Sequence, residues 1–244
     1  MSIETRTIDY LDGDVVLEGL LAWDSAAKGP RPGVMVSHAW AGRSALEDGK
    51  AVALAELGYT GFALNLYGKG VLGGSTDENA ALMQPFLDDR VMLQKRMLIS
   101  LNTLREQPEV DASQVAAIGF CFGGLCVLDL ARTGEDLAGV VSFHGLFGSP
   151  GNTADNEIRA KVLALHGWDD PMSPPDQVVG LAVELSGQKA DWQLHAYGNT
   201  MHAFTNPEAN DPDFGTVYNA VADKRSWTAM SNFLAELFGT GRHT

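Results

Sequence analysis

The stretch that decides the fold runs from Val115 to Leu128 and reads Val-Ala-Ala-Ile-Gly-Phe-Cys-Phe-Gly-Gly-Leu-Cys-Val-Leu. Its apolar beginning predicts a short buried strand over Gln114–Gly119, and its end predicts a helix over Phe122–Arg132. Cys121 lies at the turn between them, with glycine two residues before and two residues after it. Such spacing is typical of a tight strand-to-helix turn, because the two backbones crowd there and leave room only for small residues.

This is the nucleophile-elbow pattern with cysteine in place of serine. The sulfur would lie at a helix N-terminus, where backbone N–H groups and the helix dipole favour a thiolate. The N–H of Phe122 would be placed to donate to an oxyanion. The alternative is a glycine-rich turn with a merely buried cysteine, since free cysteine is among the most buried residue types. Cys126, in the middle of the same predicted helix, is predicted to be a small core residue.

A cysteine nucleophile needs a base, and in hydrolases with this elbow the chain order is nucleophile, acid, histidine. Of the six histidines, three precede the acid candidates, namely His38, His144 and His166. His195 alternates with apolar residues inside a predicted strand, so a solvent-facing structural role is expected, and His243 next to the C-terminus is expected to be frayed. His202 follows the strand Trp192–Tyr197 in a loop, which makes it the candidate base.

The candidate acid should leave the carboxyl end of the strand before His202. The segment from Leu163 to Pro171 fits, and it offers two neighbouring carboxylates, Asp169 and Asp170. Spacing alone does not separate them. Pro171 favours an extended backbone at Asp170, which would let that side chain reach inward. The other aspartate would then be a turn or cap residue.

Strands alternate with helices along most of the chain, which predicts an α/β domain over residues 1–244, with a mostly parallel sheet and helices on both faces. Asp12-Gly13-Asp14 predicts a hairpin turn and an antiparallel N-terminal edge. The predicted strands are Thr5–Tyr10, Val15–Trp23, Gly33–Val36, Tyr59–Leu66, Gln114–Gly119, Leu137–Phe143, Ala160–His166 and Trp192–Tyr197. The predicted helices are Ser44–Leu57, ended by Gly58, then Asn79–Leu104, interrupted at Pro85, and Phe122–Arg132, Pro175–Leu185 and Val217–Phe238.

Composition excludes several classes of protein. The chain has 244 residues, is 45% hydrophobic and carries a formal charge of −14. That charge argues against nucleic acid or an anionic membrane as the partner, because both need a surplus of Lys and Arg. The two cysteines are too few and too close in sequence for a disulfide scaffold. Met1–Tyr10 shows no apolar core of a signal peptide, so a cytoplasmic location is expected.

Together these motifs resemble the dienelactone hydrolase family, within the α/β-hydrolase superfamily, from about Pro32 to Phe238. The resemblance rests on Leu57-Gly58-Tyr59 leading to Leu66-Tyr67-Gly68, Gly119-Phe120-Cys121-Phe122-Gly123-Gly124, Ser142-Phe143-His144-Gly145, His166-Gly167-Trp168-Asp169-Asp170-Pro171, and Tyr197-Gly198 leading to His202-Ala203-Phe204. It implies an α/β-hydrolase fold.

The resemblance also implies chemistry. It implies a triad of Cys121, Asp170 and His202, so it favours Asp170 over Asp169. It implies that Phe122 and Trp40 supply the N–H groups of an oxyanion hole. Cys121 would attack a small ester or lactone, forming a thioester that water hydrolyses with His202 as base. Neither a metal nor an organic cofactor is implied.

The sequence departs from the family at two points. Similar proteins often carry a glutamate near the strand end at His38, thought to hold the cysteine in a resting state, and the matching residue here is Ala39. They also have an arginine shortly after the catalytic histidine, where this chain has Asn206. Asn206 can hydrogen-bond a carboxylate but cannot offset its charge. Arg90 could supply a cation instead, although a helix ion pair is the simpler interpretation.

The acidic chain and the missing arginine favour a neutral or weakly charged ester as the substrate. The residues expected around that substrate are Ala39, Tyr67, Arg90, Phe204 and Asn206, with Trp40 and Trp168 completing an apolar lining.

Two other functions remain open at this point. Glutamine amidotransferases and other amide-handling cysteine enzymes use a similar turn, but they usually follow the late histidine with a glutamate two residues on, where this chain has Phe204. A binding protein without turnover on the same fold is the other alternative, and Ala39 gives it some support.

Overall fold

The structure, a computed structural model, describes residues 1–239 and separates into two compact units, Met1–Ile118 and Gly119–Thr244. His243 and the prediction made for it lie outside the described residues. The single domain expected over residues 1–244 stays a prediction.

The first unit begins with the antiparallel hairpin that the sequence predicted. Strand β1 (Ile3–Asp12) pairs with β2 (Val15–Asp24), and Gly13 has a φ of 59°, which suits the tight turn. Strand β3 (Arg31–Ser37) pairs in parallel with β4 (Thr60–Ala63), and β2 joins β4 antiparallel. With β5 (Val110–Phe120), which begins in this unit, the strand order is β1-β2-β4-β3-β5.

Helix α1 (Ala45–Glu56) lies between β3 and β4 and is capped by its own sequence. The Ser44 hydroxyl accepts from the backbone of the first turn, and the Glu47 carboxylate accepts the Ser44 N–H, which completes a capping box. Gly58 follows the helix with a φ of 93°, a conformation that favours glycine. Both ends of this helix were predicted from the sequence within one residue.

The long helix predicted over Asn79–Leu104 is two helices, and its break was predicted at the wrong residue. Helix α2 (Thr76–Asp88) contains Pro85, and α3 (Arg90–Arg105) begins after Asp89. The chain turns at Asp89 because its carboxylate caps α3 by accepting the N–H of Met92 at 2.9 Å. Its own N–H still donates to the Pro85 carbonyl, so the proline is accommodated in the last turn of α2.

The second unit holds three parallel strands in the order β6-β7-β8, namely β6 (Gly139–Phe143), β7 (Lys161–Gly167) and β8 (Trp192–Tyr197). Its helices are α4 (Phe122–Arg132), α5 (Pro175–Gly187) and α6 (Ala220–Leu237). Helix α4 and strand β8 have the predicted bounds. None of the helices within residues 1–239 is both long and apolar enough to cross a lipid bilayer.

The start of the last helix was predicted too early. Thr216–Val217 forms β10 and pairs with β9 (Asn210–Asp211), so the helix begins only at Ala220. Asn219 explains the boundary, since its side chain accepts the N–H groups of Val221 and Ala222. The small β9–β10 ribbon was not predicted from the sequence.

Candidate active site

Cys121 occupies a strained turn directly after β5. It is half-buried and has φ 55° and ψ −115°, a region that residues with a side chain rarely adopt. Its N–H is shared between the Phe143 carbonyl at 3.0 Å and Nδ1 of His144 at 3.1 Å. Its carbonyl accepts the N–H of Gly124 at 2.9 Å. Hydrogen bonds to both the N–H and the carbonyl of Cys121 therefore stabilise its strained conformation.

The glycines around Cys121 are required by close backbone contacts. A Cβ on Gly119 would lie 2.0 Å from the carbonyl oxygen of Gly123, which is the crowding that the sequence predicted. A Cβ on Gly124 would lie 2.7 Å from the Cα of Gly145, so the start of α4 touches the chain that follows β6. A side chain at Gly119 or Gly124 would therefore force the backbone of the turn to shift.

The structure brings His202 and Asp170 together. Nδ1 of His202 donates to Oδ2 of Asp170 at 2.7 Å, and both residues are 1% exposed. The other oxygen, Oδ1, accepts the N–H of Met172 at 2.8 Å, which fixes the carboxylate in its plane. Asp169 is exposed instead, and only its backbone N–H reaches the His202 loop, at the Thr200 carbonyl. The geometry thus separates the two aspartates that spacing left open.

The electrostatics of His202 depend on its neighbours. Burial alone would lower its pKa, but the charge of the Cys121 sulfur and the hydrogen bond to Asp170 outweigh burial, and the pKa of His202 is raised to about 10. Its Nε2 is buried and completes no hydrogen bond within residues 1–239. Contact between the His202 imidazole and the Cys121 sulfur nevertheless adds to the rise in pKa, and such catalytic contacts are often long before substrate binds. The arrangement favours an imidazolium beside the sulfur.

His144 was missed as a site residue by the sequence analysis. It is 2% exposed and has a φ of 37°, and its Nε2 lies 2.8 Å from Oγ1 of Thr205. Its ring meets the rings of His202 and Phe204 edge to face, with centroids 5.1 Å apart in both cases. The available signal was the motif Ser142-Phe143-His144-Gly145 at the end of a strand next to the elbow.

The loop that carries Trp40 belongs to the first unit and is held by its own contacts. The Tyr67 hydroxyl donates to the Trp40 carbonyl at 2.8 Å. The Glu47 carboxylate, 2% exposed, accepts the N–H of Ala39 at 3.4 Å and both the N–H and the hydroxyl of Ser44. Glu47 is therefore engaged inside this loop, next to the position where the sequence lacks the family's usual glutamate.

His38, at the start of that loop, is a neutral structural residue. It is fully buried, and burial lowers its pKa to about 4. Its Nε2 accepts the N–H of Leu66 at 3.1 Å, so the proton is on Nδ1, which lies 2.6 Å from the Ala39 carbonyl.

The residues predicted around the substrate are placed as follows. Ala39 is half-buried in the Trp40 loop, Tyr67 is buried with its ring edge against His38, and Arg90 is half-buried at the first position of α3. Phe204 is fully buried between His144 and Tyr197. Asn206 is half-buried, and its side-chain oxygen accepts the N–H of Glu208 in a turn.

Three further predictions concern residues outside the reacting groups. His195 is exposed on β8, and Cys126 is fully buried in α4, both as predicted. Trp168, expected to complete the apolar lining, is instead 43% exposed.

Comparison with known proteins identifies the family of the chain. The model of the dienelactone hydrolase family matches residues 17–238, most of the chain. The chain belongs to the dienelactone hydrolase family. This result confirms the resemblance, the α/β-hydrolase fold with its mostly parallel sheet, and the expectation of a hydrolase that acts on esters or lactones.

Three relatives of this dienelactone hydrolase family member are similar over 60% to 98% of its length. A solved dienelactone hydrolase-like promiscuous phosphotriesterase from metagenomic libraries is 39% identical, with a TM-score of 0.92 over 98% of this chain and 100% of that one. An uncharacterized Caenorhabditis elegans protein is 37% identical over 60% of this chain and 94% of its own length. A probable 2-oxo-3-(5-oxofuran-2-ylidene)propanoate lactonase of a Bradyrhizobium species is 24% identical over 93% of both chains.

Proposed function

We propose that this protein hydrolyses small carboxylic esters or lactones with Cys121 as nucleophile, His202 as general acid and base, and Asp170 as the group that orients His202. The observation that carries the proposal is the buried 2.7 Å hydrogen bond from His202 to Asp170, on an imidazole whose pKa is raised by the Cys121 sulfur. A nucleophile next to a base that is oriented by an acid is the general arrangement of covalent hydrolases.

The reaction follows from these positions. The Cys121 sulfur attacks the carbonyl carbon, and the carbonyl electrons move onto oxygen. When the tetrahedral intermediate collapses, the C–O bond breaks and the leaving oxygen takes the proton of the His202 imidazolium. The product is a thioester and an alcohol, which stays tethered to the acyl group if the substrate is a lactone. Water then attacks the thioester with neutral His202 taking its proton, which releases the carboxylic acid and restores the ion pair.

The developing oxyanion needs N–H donors. Phe122 is the first residue of α4, so its N–H belongs to the positive end of a helix that begins at the nucleophile. The N–H of Trp40 is the second candidate, and its loop is held by Tyr67 and Glu47. Support for the Trp40 donor comes from the family resemblance.

The substrate class is narrowed by charge. The formal charge of −14 does not attract an anionic substrate, and the segment after His202 offers Asn206 where similar proteins have an arginine. The side-chain oxygen of Asn206 accepts the N–H of Glu208 in a turn, and its neutral amide cannot offset the charge of a carboxylate. These features favour an uncharged ester or lactone. The expected partner is this small molecule, with no nucleic acid, membrane, metal or cofactor.

The direct test is hydrolysis of p-nitrophenyl acetate and of a small neutral lactone by the wild type and by Cys121→Ala. We expect turnover by the wild type and loss of at least about 10³-fold in kcat/KM for the variant. Full activity of Cys121→Ala overturns the assignment of the nucleophile. A stoichiometric acyl adduct on Cys121 without turnover would instead identify a binding protein, and ammonia release from glutamine an amide-handling enzyme.

A second activity, phosphotriester hydrolysis, is favoured by one observation. The solved structure that is 39% identical over 98% of this chain is described as a promiscuous phosphotriesterase. The same sulfur would attack phosphorus and form an S–P bond as the P–O bond to the leaving group breaks, with His202 protonating the leaving oxygen. Water would then attack phosphorus with neutral His202 taking its proton, which breaks the S–P bond and restores the sulfur. Release of p-nitrophenol from an uncharged p-nitrophenyl phosphotriester, lost in Cys121→Ala, tests it; no release above the uncatalysed rate removes this activity.

A further inference from the structure

His144 connects the two parts of the second unit that carry the proposed nucleophile and base. One ring nitrogen, Nδ1, accepts the N–H of Cys121 at 3.1 Å. The other, Nε2, lies 2.8 Å from the hydroxyl of Thr205, three residues after His202. The imidazole therefore bridges the turn after β5 and the loop after β8.

The contacts fix the protonation state of this ring. Nδ1 accepts from a backbone N–H, so it cannot itself carry a proton. A neutral imidazole then holds its proton on Nε2 and donates it to Oγ1 of Thr205. The neighbouring ring of His202 lies at a centroid distance of 5.1 Å, and its raised pKa favours a positive charge there. A neutral His144 avoids two adjacent imidazolium rings in a buried space.

The backbone around this bridge is held in unusual conformations. Cys121 and His144 have φ values of 55° and 37°, both in the region that favours glycine. The N–H of His144 is tied to β7 through the Leu165 carbonyl at 2.8 Å, so the ring is presented from a fixed backbone. Thr205 is 3% exposed, and Phe204 packs edge to face on the same ring. Strained residues persist where the surrounding structure over-determines them, and this bridge is part of that surrounding structure.

We propose that His144, as the neutral Nε2–H tautomer, is a positioning residue that keeps the Cys121 sulfur and the His202 imidazole in register through Thr205. The effect of His144 on catalysis rests on the proposed function, whereas its hydrogen bonds to Cys121 and Thr205 do not. Loss of the bridge would leave the Cys121 N–H on the Phe143 carbonyl alone and would remove the hydrogen bond from His144 to the loop after β8.

A matched pair of variants at Thr205 tests the bridge without touching the reacting groups. Thr205→Val keeps the shape and removes the hydroxyl, whereas Thr205→Ser keeps the hydroxyl. We expect Thr205→Val to slow alkylation of Cys121 by iodoacetamide and to lower kcat on p-nitrophenyl acetate about tenfold with KM nearly unchanged, while Thr205→Ser recovers most of both. Peptide mapping by mass spectrometry assigns the label to Cys121, since Cys126 is fully buried.

A second pair addresses the acceptor itself. His144→Asn offers an amide oxygen near the position of Nδ1 and tolerates a positive φ, whereas His144→Leu has a similar shape and no acceptor. We expect alkylation to be faster in His144→Asn than in His144→Leu, with thermal unfolding measured for both.

The ¹⁵N NMR spectrum of the folded wild type gives a readout that needs no turnover. We expect Nδ1 of His144 to be unprotonated and Nε2 to be protonated. A proton on Nδ1, or equal alkylation rates for Thr205→Val and Thr205→Ser, overturns the bridge. Retained esterase activity in Cys121→Ala would overturn the proposed function alone. The protonation of His144 measured by NMR would then still test whether His144 bridges Cys121 and Thr205.

Discussion

Asp170 and His202 form a buried 2.7 Å hydrogen bond, whereas Asp169, one residue earlier, is exposed and reaches the same loop only through its backbone N–H. Two chemically identical neighbours therefore have different environments. The N–H of Met172 binds the second oxygen of Asp170 at 2.8 Å and so helps to fix the direction of that carboxylate.

This contrast gives the first prediction. Asp170→Asn should lower kcat on p-nitrophenyl acetate by about 10³- to 10⁴-fold, because an amide can hold His202 in the wrong tautomer and cannot stabilise its positive charge. Asp169→Asn is the matched control and should stay within about twofold of the wild type, as expected for a surface substitution. Steady-state kinetics on the two purified variants decide the matter, and a larger loss in Asp169→Asn would contradict the assignment.

The charge state of His202 can be observed directly. The pKa of His202 is raised to about 10, so its imidazole should stay protonated through neutral pH and lose its proton only as the pH rises toward that value. In Cys121→Ala the attraction of the sulfur is gone and burial remains, so the pKa should fall. NMR titration of the histidine side chains measures both. His38, whose pKa burial lowers to about 4, is an internal control that should be neutral above that pH in both proteins.

The catalytic consequence has a definite sign. His202 must give a proton to the leaving oxygen, so thioester formation should slow as the pH rises through the pKa of His202. A titration of His202 that is the same with and without Cys121 would show that the sulfur does not act on this imidazole.

Much of this site could be predicted from local sequence, because its residues lie where parallel strands end. The elbow at Cys121 and the loop histidine His202 are local features, and helix α4 has the predicted bounds. Spacing alone left Asp169 and Asp170 open, and the effect of Pro171 together with the family resemblance favoured Asp170. His144 was missed because its role depends on Thr205, 61 residues further along, and no local pattern encodes such a contact. The break at Asp89 was missed because a side-chain cap there determines the helix ends more strongly than Pro85 does.

Glu47 should stabilise the Trp40 loop and the start of α1. Its buried carboxylate accepts the N–H and the hydroxyl of Ser44 and the N–H of Ala39. Glu47→Gln should lower the free energy of unfolding by about 1–2 kcal/mol. The NH₂ group of the new side chain would replace an oxygen that now accepts hydrogen bonds, so one N–H or O–H donor of the loop would lose its acceptor.

The adjacent carboxylate is the control for Glu47. Asp48 is partly exposed and forms an ion pair with Arg43 at 3.3 Å, so Asp48→Asn should change the free energy of unfolding by less than about 1 kcal/mol. Urea unfolding at one pH compares both variants with the wild type. Equal effects at the two positions would show that the Glu47 contacts add nothing beyond an ordinary surface pair.

Gly119 should tolerate no side chain. A Cβ there would lie 2.0 Å from the Gly123 carbonyl oxygen and 2.9 Å from the Gly124 nitrogen, so the backbone of the elbow would have to shift. Gly119→Ala should therefore cost at least about 3 kcal/mol in the free energy of unfolding and abolish ester hydrolysis together with it. Gly180 in α5 is the matched control, since nothing lies within 4 Å of a Cβ placed there. Gly180→Ala should stabilise the protein by about 0.5–1 kcal/mol, the ordinary gain of alanine over glycine in a helix. Thermal unfolding of the two variants should thus shift in opposite directions, and a Gly119→Ala protein as stable as the wild type would mean that the elbow is not built as described.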